Sequence, residues 1–241
     1  MADAPRFADP LLERLSRLDS GQVSDVLDEA GLPNHALSSQ IAPVYAVARL
    51  VGRAACVRGE PIVTGQHAPK ALPTEALEEL IRPGSILVIA TAGFLVAATV
   101  GGIVSRSLQQ RGCAGLITDG VVRDVDEIRD LGFPIFAAGV SPLNASRRWR
   151  FVEADVALSL PGQTGASIVV QPGDLILGDR DGTVIVPEAI ATQIIEDAEE
   201  LRRIEGKIAD DLRSGISRAE AFKRNSRFAH VRSGLSQIGL Q

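Results

Sequence analysis

Aromatic side chains are scarce in this chain: seven phenylalanines, one tryptophan, Trp149, and one tyrosine, Tyr45, make up 4% of its 241 residues. The core therefore has to be built from Val, Ile, Leu and Ala, as in α/β proteins whose strands are covered on both faces. Cysteine is nearly absent too. The two present, Cys56 and Cys113, show neither zinc-site nor redox-pair spacing, which excludes a disulfide framework and predicts buried, reduced thiols. Three histidines occur, His35, His67 and His230, none in a ligand or triad arrangement. With 25 basic against 30 acidic residues the net charge is −5 and no basic face stands out, so nucleic acid is not an expected partner. No long apolar run is unbroken. Gly93, Gly101 and Gly102 interrupt the stretch 86–104, and residues 1–6 lack the apolar segment of a secretory signal. A cytoplasmic protein with no membrane contact is expected.

What the chain does have is periodicity. Ser20 reads as the N-cap of a helix carrying Val23, Val26, Leu27 and Ala30 on one side and ended by Gly31 and Pro33, with the arm as far as Leu37 helical. Residues 42–58 read as one or two strands, and Thr74 as the cap of a short helix ending at Leu80. Pro83-Gly84 then feeds a buried strand, a design that Pro172-Gly173 repeats. Helix 103–110, strand 114–117, helix 125–131 and strand 134–138 follow in the βαβα rhythm of a parallel or mixed sheet. Strands at 156–160, 167–170, 175–177 and 183–186 are closely spaced, which predicts an antiparallel region, with residues 178–182 as a hairpin turn rather than a calcium loop. Ile190, Ile194, Leu201, Ile208 and Leu212 mark a long C-terminal helix whose other side carries Glu196, Asp197, Glu199 and Glu200. Gly215 ends it, and Ser217 starts another.

Chemistry concentrates between Val100 and Asp124. Gly101-Gly102 opens a helix, and a buried apolar strand then ends in Arg123-Asp124. A helix N-terminus offers unpaired N–H groups to an anion, arginine adds a planar fork of donors, and an aspartate supplies the hard oxygen that Mg²⁺ prefers. That set suits a small carboxylate substrate. Asp124, with Glu127 three residues on, also fits a helix cap. Asp119 stands before Gly120 as a turn residue, with a proton-accepting role as its alternative.

These residues, together with Gly115, Asp119-Gly120, Gly132-Phe133-Pro134, Pro172-Gly173-Asp174 and the run Gly178-Asp179, Asp181-Gly182, Val186-Pro187, resemble the 4-hydroxy-4-methyl-2-oxoglutarate aldolase and ribonuclease-activity-regulator-A-like family over roughly residues 15–190. The resemblance implies an α/β, swivelling β/β/α domain, phosphohistidine-domain-like, over residues 1–190, with N-terminal helices and a helical extension at 191–241. It implies trimers or hexamers of a lyase that needs a divalent metal, Mg²⁺ or Mn²⁺, to cleave 4-hydroxy-2-oxo acids to pyruvate and to decarboxylate oxaloacetate. Carried over, Asp124 is the metal ligand and Arg123 the catalytic cation. The amides of Gly102, Ile103 and Val104 bind the substrate carboxylate, and a metal-activated water is the first choice of base. Loop 65–70, including His67, and a neighbouring subunit are expected around the second half of the substrate. The alternative is a non-catalytic protein that binds and regulates a ribonuclease, a branch in which the aspartate after the arginine is commonly replaced.

Overall fold

The computed structural model describes residues 7–46, 49–63 and 71–234. In chain order the elements are α1 (Pro10–Leu15), α2 (Ser20–Glu29), β1 (Ala42–Pro43), β2 (Leu50–Pro61), α3 (Glu75–Leu80), β3 (Ser85–Ala90), α4 (Gly102–Gln110), β4 (Gly115–Val122), α5 (Val125–Leu131) and β5 (Ile135–Val140). There follow β6 (Trp149–Ala154), β7 (Leu158–Pro161), β8 (Ser167–Val170), β9 (Leu175–Gly178), β10 (Thr183–Val186), α6 (Ala191–Arg213) and α7 (Arg218–Arg224).

The main sheet runs β1-β5-β4-β3-β2-β9-β10, with β6 also paired to β2. Its centre, β2 to β5, is parallel, and the flanks are antiparallel. Residue alternation explains the layers. In β3, Ile86 and Val88 face one cluster with Phe136 and the β7–β8 hairpin, while Leu87 and Ile89 face the other with Leu77, Leu108 and Ile128 of the helices. Because successive strand residues point to opposite faces, these all-apolar strands must be covered twice. The result is a β/β/α sandwich: hairpin, sheet, helices.

Each Pro-Gly turn feeds a buried strand as the sequence suggests, β3 and β9, and the structure sets both turns against β2. Gly84 accepts from the Arg53 amide at 3.1 Å, and the Gly173 amide donates to Ala54 at 2.9 Å. Each glycine is left-handed, at φ +85° and +93°.

A third cluster joins α1, α2 and α6 to one face of β9 and β10, so the C-terminal extension shares a core with the strands. Ser20 is the first helical residue rather than the cap. Its hydroxyl and amide donate to Asp179 in the β9–β10 hairpin turn, at 2.7 and 2.8 Å, and Asp19 takes the cap position. The arm is not helical as far as Leu37, because Ala36 and Leu37 form bridges to Val184 and Gly162. Nor is Asp197 on a solvated side of α6. The tail folds back so that Arg232 pairs with it at 3.0 Å and leaves it 4% exposed. Cys56 and Cys113 are buried free thiols, as expected; burial pushes the Cys56 thiol up to about 12. Among the described residues no helix is long and apolar enough to cross a membrane.

Candidate active site

The site forms where the chain leaving β3 meets the end of β4. Thr99 donates its amide to Val121, Val100 bridges Val122 in parallel, and the Arg123 amide donates to Val100 at 3.1 Å. The segment before α4 thus runs beside the strand end, which sets Gly101 against Arg123-Asp124. A Cβ at Gly101 would stand 2.6 Å from Asp124 Oδ2 and 3.0 Å from Arg123 Nε; one at Gly102 would stand 2.1 Å from Glu127 Oε2. At Gly101 a Cβ would press on the short Asp124 and on the Arg123 stem, whereas at Gly102 it would displace only the carboxylate end of Glu127.

Asp124 occupies the cap position of α5, but its side chain does not cap that helix. Its backbone is left-handed, at φ +60°, which costs an L-residue about 1–2 kcal/mol and is tolerated best by Asn and Asp. That turn swings the carboxylate onto the neighbouring helix, where Oδ2 accepts from the Gly102 amide at 3.0 Å. The capping-box reading of Asp124 and Glu127 is therefore corrected: Glu127 instead meets Arg106 at 3.3 Å. Because the Ser105 amide bonds Gly101 and that of Gly102 meets Asp124, the Ile103 and Val104 amides are the first-turn donors left without an intrahelical acceptor. Ile103 itself is 81% exposed.

Arg123 lies 3.6 Å through Nε from Asp124 Oδ2. It lines a 370 Å³ cavity that Val100, Gly101 and Val104 border on one side and Asn144, Trp149 and Arg150 on the other. This second wall comes from the arginine-rich stretch around Trp149, in which no motif marks a site. The available signal was the single tryptophan set among arginines in a chain otherwise poor in aromatics. Loop 65–70, with His67, lies outside the described residues.

Asp119 is not a turn residue. It sits inside β4, 4% exposed, and accepts from the Thr91 amide and hydroxyl at 2.6 and 2.9 Å and from the Gly93 amide at 2.8 Å. Its oxygens are thus engaged in fastening the loop that leads to Gly101, and Gly120 beside it leaves room for Thr91.

For a divalent ion, the donor set fits one mode. Among the described residues no group of three or more His, Cys, Asp or Glu side chains stands together, so an all-protein cage is absent. Asp124, 42% exposed with Oδ2 on the Gly102 amide, offers a single hard carboxylate. Mg²⁺ is commonly held in this way, by one or two carboxylates with water and substrate completing the shell.

Residues 20–185 match the family described as RraA-like, Aldolase/RraA. The uncharacterized protein MJ0644 of Methanocaldococcus jannaschii is 36% identical over 118 residues, covering 49% of this chain and 54% of its own. A 4-hydroxy-4-methyl-2-oxoglutarate aldolase of Thermus thermophilus is 32% identical over 118 residues, 49% of this chain and 68% of its own. Among solved structures, RraAS2 of Streptomyces coelicolor, described as an unusual member of the RNase ES inhibitor RraA protein family, superimposes with a TM-score of 0.72 at 28% identity, covering 83% of this chain and 97% of its own. Of two curated relatives that it matches, the chain spans 54% and 33% of the length.

Proposed function

This chain belongs to the RraA-like, Aldolase/RraA family, and from that premise we propose that it is a divalent-metal-dependent lyase cleaving 4-hydroxy-2-oxo acids, such as 4-hydroxy-4-methyl-2-oxoglutarate, to pyruvate, and decarboxylating oxaloacetate. The observation that carries the proposal is the junction at Gly101-Gly102, where a helix N-terminus, an arginine and an aspartate meet within hydrogen-bonding or ion-pair reach. The relatives named as aldolases support the same reaction class.

In this reading the Ile103 and Val104 amides hold the substrate carboxylate at the positive end of α4. Arg123 directs its guanidinium to the 2-oxo oxygen, where negative charge accumulates as the carbon–carbon bond breaks. Donors fixed in advance at that point lower the barrier, because they need no reorganisation during reaction. Asp124 is the residue that would hold Mg²⁺ or Mn²⁺, which when bound supplies Lewis-acid polarisation of the same carbonyl. Asp119 keeps the loop before Gly101 in place. The working form is a homo-oligomer, a trimer or hexamer, in the cytoplasm.

The similarity to RraAS2 supports a second reading, a protein that regulates a ribonuclease by binding it. The carboxylate at position 124 favours the enzyme. A panel of 2-oxo acids assayed for pyruvate with Mg²⁺, Mn²⁺ or EDTA decides between them: metal-dependent pyruvate release is expected, and its absence with every substrate and ion overturns the lyase.

A further inference from the structure

Two carboxylates converge on Gly102. Asp124 Oδ2 takes its amide at 3.0 Å, and Glu127, in the first turn of α5, sets Oε2 2.1 Å from the point where a Cβ would stand. Among the described residues neither acid has a close cation. Arg123 Nε is 3.6 Å from Asp124 Oδ2 and Arg106 Nη2 is 3.3 Å from Glu127 Oε1, whereas charge-assisted pairs close to about 2.7–2.9 Å. The favourable place of an acid at the start of α5 does not account for the arrangement. Asp126, the other acid of that turn, points outward, 87% exposed, and pairs with Arg129 of its own helix. Glu127 instead crosses to α4, which it can do because position 102 carries no side chain. Like charges gathered around one glycine, each with a loose partner, call for a cation from outside the chain.

We propose that Glu127 is a positioning residue of the metal site: its Oε2 accepts from a water of the divalent ion that Asp124 holds, and position 102 is glycine to admit it. The inference rests on the role proposed above for Asp124. A small divalent ion bound through a single carboxylate keeps several of its waters, so a further acid within reach acts by holding one of them. With Oε1 turned to Arg106, Oε2 is the oxygen left to do so. Outer partners of this kind orient the ligands and typically set metal affinity by about tenfold to a hundredfold.

Mn²⁺ titrated into the full chain, with the free ion read by electron paramagnetic resonance, tests this without reference to turnover. Glu127→Gln is expected to weaken Mn²⁺ by about tenfold or more. Glu127→Asp keeps the charge but is one carbon shorter, so it loses affinity if a held water is the cause and keeps it if charge alone matters. Gly102→Ala, which displaces the same carboxylate, is expected to weaken Mn²⁺ too, and in combination with Glu127→Gln to weaken it no further than the stronger single change. Arg106→Met removes the exposed ion pair and spares the acceptor, so it should bind Mn²⁺ at least as tightly as the wild type. Wild-type affinity in Glu127→Gln or Glu127→Asp, additive losses in the double variant, or an equal loss in Arg106→Met overturns the proposal. Mn²⁺ binding that Asp124→Asn abolishes and Glu127→Gln leaves intact keeps the Asp124 site and removes only Glu127 from it, whereas a wild-type chain that binds no Mn²⁺ removes both.

Discussion

Replacing Gly101 by alanine adds one carbon at the closest point between α4 and the Arg123-Asp124 pair. The backbone there is extended, at φ −139° and ψ −169°, so alanine fits without conformational strain and the effect is steric. The new Cβ would lie 2.6 Å from Asp124 Oδ2, where ordinary contact begins at 3.4 Å, so the carboxylate must retreat by about 0.8 Å. That retreat stretches the 3.0 Å bond from the Gly102 amide beyond hydrogen-bonding range. A hydrogen bond to a charged group contributes about 1.5–3 kcal/mol. For a chain of this length the melting temperature should fall by about 3–12 °C. The same displacement at a reacting centre costs about a hundredfold in rate. Melting followed by circular dichroism, with pyruvate release coupled to lactate dehydrogenase, reads both. Gly21→Ala is the control: its Cβ meets nothing within 4 Å, and a glycine-to-alanine change inside a helix should stabilise by about 0.5–1 kcal/mol. A Gly101→Ala protein with wild-type melting and turnover would refute the reasoning.

Asp119→Ala strands the Thr91 amide and hydroxyl and the Gly93 amide; urea unfolding should show a loss of about 2–4 kcal/mol, and a loss below about 1 kcal/mol would show that the loop is fastened elsewhere. Acid should weaken the fold in two windows. Burial holds the His35 imidazole below its usual 6.5, so the stability it contributes is present above that pH and lost as pH falls through the folded value. Burial of Asp179 is outweighed by the hydroxyl and amide of Ser20, the Asp181 amide and Arg49, which hold its carboxyl below the usual 3.8; its contribution is present above 3.8 and lost as pH falls further. Asp174, pushed up by burial, works in the opposite sense and regains stability on acidification. Asp179→Asn should make the lower window shallower without abolishing it, because Asp9, its burial outweighed by Arg53 and the Leu11 and Leu12 amides, is also held below 3.8; an unchanged limb below 3.8 in that variant would contradict the assignment.

Much of the fold was legible because its signals are local. The α5 span, the β8 and β10 spans and the hairpin turn at 178–182 follow from apolar period and glycine placement, and the structure has them where the sequence puts them. What escaped depends on partners far along the chain. Ser20 looks like a cap until Asp179, 159 residues away, takes its hydroxyl. Asp197 looks solvated until the tail returns with Arg232. Asp124 satisfies every local rule for capping its own helix, yet a left-handed backbone turns its carboxylate to the N-terminus of another. The motif from Val100 to Asp124 was readable as an anion-binding unit since helix start and strand end are both local; the wall at 144–151 was not, because only the sheet's closure brings it opposite Arg123.

The account stands most directly on whether Asp124 anchors a divalent ion beside Arg123. Titrating Mn²⁺ into the full chain by calorimetry in the presence of oxalate, for the wild type and for Asp124→Asn, measures this without reference to turnover. The account predicts binding that oxalate strengthens in the wild type and that the asparagine variant loses while keeping its fold. Equal Mn²⁺ binding by both proteins, or none by the wild type, would contradict it.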